Sequence, residues 1–505
     1  VSNLLLRGVR LVPLAPGETA PDEPVDVAVE HGVVTAVGPG LERPAGAEEI
    51  AGLGRWVVPG LWDQHAHLAQ WTLTSQRLDL AAARTPEAAT AMVAERVAEQ
   101  PELPVIGWGH RAGVWDRDVT VSELDAVSGE TPVVLISGDG HHAWLNTTAL
   151  MHLALPVRDS VVRETEWFAV YPRLATLVGN DGTSPAAYRR MLETAAALGV
   201  VGLTDYEFSA GPMDWAERWH EGCDLLRVRV ATYAEGLDDV LSAGLRTGDT
   251  LPDCDPRATM GALKIISDGS LNTRTAWCCQ PYADAHRLEY PAGQPNLSGD
   301  ELRELQTRAH AGGLEVATHA IGDAALAEAL AAYAATGARG SIEHAQLVGR
   351  DDVRRMAELG IRASVQPAHL LDDRDLTTRI WPDRQERCFA FRWMLEDGVE
   401  LALGSDAPVS PLDPWLAIAA AVHRTADERE PWHPEQALTP REALAASVDG
   451  QPMVGPGSRG DLVLLDADPL ATRADDATTA RALREMPVAL TAVAGEVVHR
   501  GGSLV

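Results

Sequence analysis

Two histidines one residue apart, His65-Ala66-His67, follow an apolar run, WVVPGLWD, that reads as a strand. Residues i and i+2 of a strand point to the same face about 7 Å apart. Two imidazoles placed this way can converge on one metal ion. An HxH tripeptide alone is a weak signal, and a second clue comes from a residue type. Of 42 Lys and Arg side chains, 41 are Arg and one is Lys: Lys264, inside GALKIISDGS. A buried lysine can lose its proton and act as a nucleophile, a Schiff-base former or the acceptor of a modification, whereas arginine in practice cannot. A core or salt-bridging lysine is the plainer reading of that residue taken alone.

Three further polar residues sit at comparable places: His319 in EVATHA, His344 in SIEHA and Asp406 in LALGSD. The elements that carry them are candidate strands at 56–63, 200–206, 227–233, 261–267, 314–320, 340–345, 362–367 and 400–406. Stretches with helical spacing lie between most of them, such as SPAAYRRMLETAAALG, GDELRELQTRAHAGG and RDDVRRMAELG. Eight β–α units predict an α/β fold, a parallel (β/α)8 TIM-like barrel. In such a barrel, side chains at the C-terminal strand ends meet over one centre. Imidazoles and a carboxylate suit zinc, and a catalytic zinc keeps one position open. Singly, a strand-end His can cap a loop and a strand-end Asp can cap the next helix. Six polar residues at five of eight otherwise apolar strands point together to a metal site.

Both ends of the chain read as short strands with Gly and Pro turns: LLLRGVRLVP, VDVAVEHGVVTAVGPG and GRWVVPG, then DLVLLDAD and PVALTAVAGEVVHRGG. This predicts a composite β-sandwich of 1–58 with 458–505, beside a barrel of 59–457. The gap between the first two barrel strands exceeds a hundred residues and contains the apolar runs LPVIGW and TPVVLISGDG. An insertion after strand one, roughly 70–185, is expected beside the barrel mouth. The formal charge of −31 opposes nucleic-acid and anionic-membrane partners and favours solubility. No stretch approaches the roughly 20 apolar residues of a membrane span. The opening VSNLLLRGVRLV has no basic region followed by a long apolar one, so no signal peptide is expected. Five cysteines without a CxxC pair make no disulfide framework, and a cytoplasmic setting is expected. A small molecule is the expected partner. Homo-oligomers are compatible with the sequence, and no feature specifies them.

The order HxH, Lys, His, His, Asp resembles that of the metal-dependent amidohydrolase superfamily. The likeness extends to its amidohydrolase-3, YtcJ-like branch, which includes N-substituted formamide deformylase. It is carried by VVPGLWDQHAHL, GWGHRAGVW, TVSELDAVSGETPVVLISGDGHHAWLNTTAL, KIISDGSLNTRTAW, THAIGD, IEHAQ and LGSDAPV. The C-terminal GSRGDLVLLDADP departs from the usual pattern by Gly460 in place of Ala. The resemblance implies a distorted barrel with a small sandwich from both termini. It also implies a divalent metal, zinc, as one or two ions. In the binuclear form His65 and His67 hold the more buried ion and His319 and His344 the more exposed one. Lys264, carboxylated by CO₂ to N6-carboxylysine, bridges them, and Asp406 binds the first. In the mononuclear alternative His65, His67, His319 and Asp406 hold one ion, His344 polarises the substrate and Lys264 is unmodified.

The implied activity is hydrolysis of a non-peptide C–N bond by metal-activated water, on an amide such as an N-substituted formamide. Asp406 is the implied acid–base group and His344 the polarising one. The alternatives are a deaminase of a cyclic amidine and, in another class, a non-catalytic binding or regulatory barrel. His141 and Trp144, in GDGHHAW, are expected to line the pocket, and Arg274, in LNTRTAW, to meet a substrate carboxylate. A buried hydrogen bond or an arginine satisfying loop carbonyls is the plainer reading of each. Asp268 reads as a turn residue. Trp108, Trp115, Trp144 and Trp277 are candidates for an aromatic pocket wall.

Overall fold

The structure is a computed structural model. It describes residues 3–504 except 76, 81, 102, 111–114, 116, 138–141, 171–172, 175–183, 209–210, 426–428 and 472–474. Five strands open the chain: β1 (Leu4–Leu11), β2 (Val25–Glu30), β3 (Val33–Gly38), β4 (Glu48–Ala51) and β5 (Trp56–Pro59). The barrel begins with β6 (Leu61–Ala66). A separate sheet follows, with β7 (Leu78–Asp79), β8 (Val105–His110), β9 (Val133–Ser137), β10 (His142–Leu145) and β11 (Val162–Arg163). The barrel resumes with β12 (Val200–Asp205), β13 (Arg227–Thr232), β14 (Ala258–Ile266), β15 (Val316–Ala320), β16 (Gly340–His344), β17 (Arg362–Val365) and β18 (Leu401–Leu403). The chain ends with β19 (Leu462–Leu465), β20 (Val488–Val493) and β21 (Glu496–Arg500).

The eight barrel strands run parallel in the order β18-β17-β16-β15-β14-β13-β12-β6. The two edges approach each other past β18, where Ala66 bridges Ala407 and the His67 N–H donates to the Ala407 carbonyl at 2.9 Å. The result is a nearly closed parallel barrel. Strands buried on both faces must be apolar nearly throughout. β12, VVGLTD, is buried at all six positions, and its polar residues fall at the C-terminal end. The helices behave as their sequences require. Helix Gly299–Ala311 starts at Ser298, where Ser298 and Glu301 cap each other's backbone N–H. Helix Arg350–Leu359 stops at Gly360, which adopts a left-handed conformation.

The candidate strand at 56–63 is two strands in two sheets. β5 belongs to the terminal sheet and β6 to the barrel, and Gly60 separates them. A Cβ at Gly60 would stand 2.3 Å from a Val201 methyl, so the chain can turn there against β12 only without a side chain. The terminal strands pair in the order β21-β20-β19-β5-β1-β2-β3, with β4 also on β1. β1 makes the join. Its first half pairs with β2 and β4, its last residues pair with β5, and the register shifts between Leu6 and Val9. A strand that changes sheets at a bulge wraps two layers round one core. Leu4, Leu6, Val27 and Val57 from the N-terminal strands share that core with Leu462, Leu464 and Leu490. This is the β-sandwich built from both termini.

The chain divides into two compact units, Val1–Leu68 with Arg189–Val505, and Ala69–Tyr188. In the second, the strands pair as β11-β10-β9-β8-β7, and its core includes Val133, Leu135 and Trp144. Among the described residues, no helix is long and apolar enough to cross a membrane.

Candidate metal centre

The His65–His67 pair is set by buried carboxylates before any ligand arrives. Asp63, two residues earlier on β6, accepts the His65 N–H and the Ser405 N–H on one oxygen, each at 3.0 Å. Burial pushes its pKa up to about 6, against these hydrogen bonds. This clasp ties β6 to the Leu403-Gly404-Ser405-Asp406 segment. The approach is close: a Cβ on Gly404 would fall 2.7 Å from the His65 nitrogen. The Asp406 N–H then donates to the His65 carbonyl at 2.6 Å. On the next strand, Asp205 accepts the Leu68 N–H at 3.1 Å and so holds the backbone just past His67. Its pKa is pushed up by burial to about 6.

The side chains converge. His67 Nε2 lies 3.2 Å and His65 Nε2 3.5 Å from Asp406 Oδ1. His65 Nδ1 is 2.7 Å from Glu343 Oε2. Burial works against the Glu343 charge, but the hydrogen bond with His65 and the charge of Lys264 hold it down to about 2. An ionised Glu343 only accepts, so His65 carries its hydrogen on Nδ1 and presents a bare Nε2. That lone pair faces a carboxylate oxygen, an arrangement that repels unless a cation lies between them. Imidazole nitrogens and a carboxylate are the donors zinc takes, and a carboxylate behind a ligating histidine fixes its tautomer. The residues present therefore fit a divalent ion.

Lys264, on β14, brings its Nζ to 3.3 Å from His65 Nε2 and 4.2 Å from the centre of the Tyr206 ring. Burial lowers the amine pKa to about 8, with the charges of Glu343 and Asp406 opposing. His319 and His344, on β15 and β16, stand with ring centres 4.5 Å apart, and His344 is 5.0 Å from His65. His319 Nε2 lies 3.3 Å from the Gly269 carbonyl and 3.4 Å from Asp268. Burial first, then the charge of Lys264, lowers His65 to about 4 and His319 to about 3. His344 is held well below its ordinary value by burial. These rings are neutral at physiological pH. Burial works against the Asp406 carboxylate, yet its pKa is held well below the ordinary value, the hydrogen-bonding contact with His67 contributing.

Of the six residues picked out in the sequence as metal ligands, His65, His67 and Asp406 form one cluster, with Lys264 against His65 and with the rings of His344 and His319 in turn beside it. A seventh joins them. His369, three residues past Gln366 in QPAHL, places Nε2 3.7 Å from Asp406 Oδ2. Two groups have ligand atoms within 4.8 Å of one another: His65, His67 and Asp406, and His344, His369 and Asp406. The sequence reading follows strand ends and stops short of His369, which opens the helix after β17. It also passes over Asp63, Asp205 and Glu343, acidic residues in or beside segments already identified. The signal that would have found them is a carboxylate inside an apolar strand.

The other residues have local commitments. His141 lies outside the described residues. Trp144 is fully buried within the Ala69–Tyr188 unit and donates its indole N–H to the Thr120 carbonyl at 2.8 Å. Arg274 donates to the Asn272 carbonyl at 2.7 Å and stands 3.4 Å from Asp284. Asp268 is a buried clasp, accepting the N–H groups of Trp277, Ile321 and Gly322 at 2.9, 3.1 and 2.9 Å. The aromatic ring stacked on His67 is Phe208, at 5.2 Å between ring centres and 57% exposed.

The family model described as the amidohydrolase family matches residues 48–499. The chain is 25% identical to the putative amidohydrolase YtcJ of Bacillus subtilis, over 94% of this chain and 95% of that protein. It is 27% identical to an N-substituted formamide deformylase of Arthrobacter pascens, over 93% of this chain and 94% of the relative. Among solved structures, an uncharacterized metal-dependent hydrolase from Pyrococcus horikoshii superposes with a TM-score of 0.74. It is 25% identical, with 93% of this chain and 99% of that one covered.

Proposed function

The chain belongs to the amidohydrolase family, and on that premise we propose that it hydrolyses a non-peptide C–N bond in an amide of the N-substituted formamide type. The observation that carries this reading is the convergence of two imidazoles, His65 and His67, on one oxygen of a buried carboxylate, Asp406. The N-substituted formamide deformylase relative, alignable over nearly the whole chain, supports the substrate class.

His65, His67 and Asp406 would hold a divalent ion, zinc, with His319, His344 and Lys264 beside them. A bound ion supplies Lewis acidity and lowers the pKa of water from 15.7 toward about 7. The lowered pKa of Lys264 raises the share of neutral amine at physiological pH, which can add to CO₂ by forming an N–C bond and releasing a proton. The resulting carbamate would offer oxygen donors to a second ion, and this binuclear form is the one proposed here. Asp406 takes a proton from the attacking water and returns it to the departing nitrogen. In the binuclear form His319 and His344 would hold the second ion; in the mononuclear alternative His344 instead polarises the carbonyl. Water adds to the carbonyl carbon to form the C–O bond, the tetrahedral adduct collapses with cleavage of the C–N bond, and one water is consumed for one carboxylic acid and one amine. Glu343 keeps His65 in the required tautomer throughout.

The test combines metal analysis with turnover. Purified protein supplemented with zinc is expected to carry one or two ions per chain and to release amine from at least one N-substituted formamide. The panel also includes N-acyl and cyclic amides and cyclic amidines. Protein that retains no ion, or that releases only ammonia and only from amidines, overturns the proposal.

A further inference from the structure

His369 stands outside the ligand sets that the family resemblance implies, although its ligand atom lies within 4.8 Å of those of His344 and Asp406. Its Nε2 is buried without a hydrogen-bond partner, although the ring keeps 11% of its surface exposed. The separation of 3.7 Å from Asp406 Oδ2 is too long for a hydrogen bond. The ring lies nearly parallel to that of His344, at 17° and 6.1 Å. It is carried by the first residue of the helix His369–Ile380, so its backbone is fixed. One turn along the same helix face is Asp373, which is anchored by Gln346 at 2.9 Å. The two oxygens of Asp406 therefore face different partners. Oδ1 meets the nitrogens of His65 and His67, and Oδ2 meets His369.

Buried polar atoms in folded proteins almost always have a partner, and exceptions gather where a ligand completes them. A buried, unpartnered ring nitrogen beside the group that moves the proton, on a side chain that keeps some exposed surface, suits a hydrogen-bond donor to the substrate. Resting on the amide-hydrolase reading, we infer that His369 is a catalytic residue whose Nε2–H donates a hydrogen bond to the substrate oxygen as that oxygen gains negative charge. No proton leaves His369 in this role. The role requires the tautomer with hydrogen on Nε2, and the negative charge it meets develops only as water adds to the carbonyl, so the contact favours the transition state over the ground state.

The test uses zinc-loaded full-length protein, the formamide that wild type turns over best, and methylphosphonate as a tetrahedral oxyanion probe. His369→Gln keeps an N–H donor and His369→Leu removes it. For His369→Leu we expect kcat to fall roughly 10²- to 10³-fold with KM within about threefold. Methylphosphonate affinity by calorimetry should fall at least tenfold, and zinc per chain should not change. His369→Gln should recover part of kcat and of probe affinity. Loss of an ion in either variant makes His369 a ligand and overturns the inference. So does a kcat within threefold of wild type. Should the variants not fold, a crystal structure of zinc-loaded wild type with methylphosphonate decides. Nε2 within about 3.2 Å of a phosphonate oxygen supports the assignment, and a separation beyond 4 Å overturns it. If wild type turns over no formamide, the proposed function fails, whereas a wild type that works with an indifferent His369 refutes only this inference.

Discussion

The two sides of Asp406 are built differently. On the Oδ1 side, His65 is gripped at its backbone by Asp63 and at its ring by Glu343, and the chain past His67 is held by Ala407 and Asp205. On the Oδ2 side, His344 Nδ1 and His369 Nε2 are buried without a hydrogen-bond partner, as His67 Nδ1 is on the other side, and among the described residues no carboxylate accepts a hydrogen bond from either ring as Glu343 does from His65. The contrast separates two tasks. A group that must hold an ion gains from being fixed in advance by carboxylates behind it. A group that must meet a substrate gains from leaving its donor unspent until the substrate arrives. Asp406 joins the two sides, so Asp406→Asn should have the largest effect. We expect retained fold and metal with kcat lowered roughly 10²- to 10⁴-fold, measured by steady-state kinetics beside metal analysis. Near-normal turnover would remove Asp406 from the chemistry and leave the two sides unconnected.

Lys264 tests whether the firm side holds one ion or shares two. Its amine is 3.3 Å from His65 Nε2. Lys264→Ala should reduce bound metal from two ions per chain to one and reduce turnover with it. One ion in wild type beside an unmodified amine would eliminate the bridge and favour the mononuclear centre. A smaller effect is expected from Glu343→Gln, which leaves every ligand in place and weakens only the group that orients His65. Metal affinity by chelator competition should fall roughly 10- to 100-fold. The contrast between the two sides is sharpened if His369→Gln leaves that same affinity unmoved. Equal losses in both variants would abolish it.

Much of this arrangement is legible in the sequence because barrel strands must be apolar. A polar residue at the end of such a strand stands out, and His65, His67, Lys264, His319, His344 and Asp406 all do. Lys264 stands out further as the single lysine among 42 basic residues. The terminal strands are legible for a related reason, as alternating apolar residues between glycine and proline turns. What sequence leaves hidden is whatever depends on distance. Glu343 reads as one more residue of β16 until its oxygen is found 2.7 Å from His65. His369 sits past the strand end, on a helix, where periodicity marks nothing. The division of 56–63 at Gly60 depends on a methyl of Val201, about 140 positions away. Phe208 illustrates the same limit. The tryptophans, numerous enough to attract notice, are candidates for a pocket wall, yet the ring stacked on His67 is one of only four phenylalanines.

The smallest predicted effect concerns what it costs to hold the firm side in place. Asp63 is a buried carboxylate whose pKa in the folded protein is about 6, above its ordinary 3.8, because burial disfavours its charge. A carboxyl raised on folding binds its proton first in the folded state, so it adds stability as the pH falls. Above about pH 6 both states are ionised and the contribution is flat. Between about pH 6 and 4 only the folded protein takes up the proton, and stability rises relative to a protein lacking the group. Asp63→Asn keeps an acceptor oxygen for the His65 and Ser405 N–H groups and does not titrate. In chelator-treated protein, wild type should therefore gain on the variant by at most about 3 kcal/mol between those limits, a shift of a few degrees in melting temperature. The other buried groups that titrate in this range, Asp205 and Asp268 upward and His65 and His319 downward, are common to both proteins and cancel in the difference. A difference that stays constant from pH 8 to pH 4 would mean that Asp63 is not held at raised pKa. The carboxylate behind the metal-holding side would then carry no burial cost, and the asymmetry between the two sides of Asp406 would rest on Glu343 and Asp205.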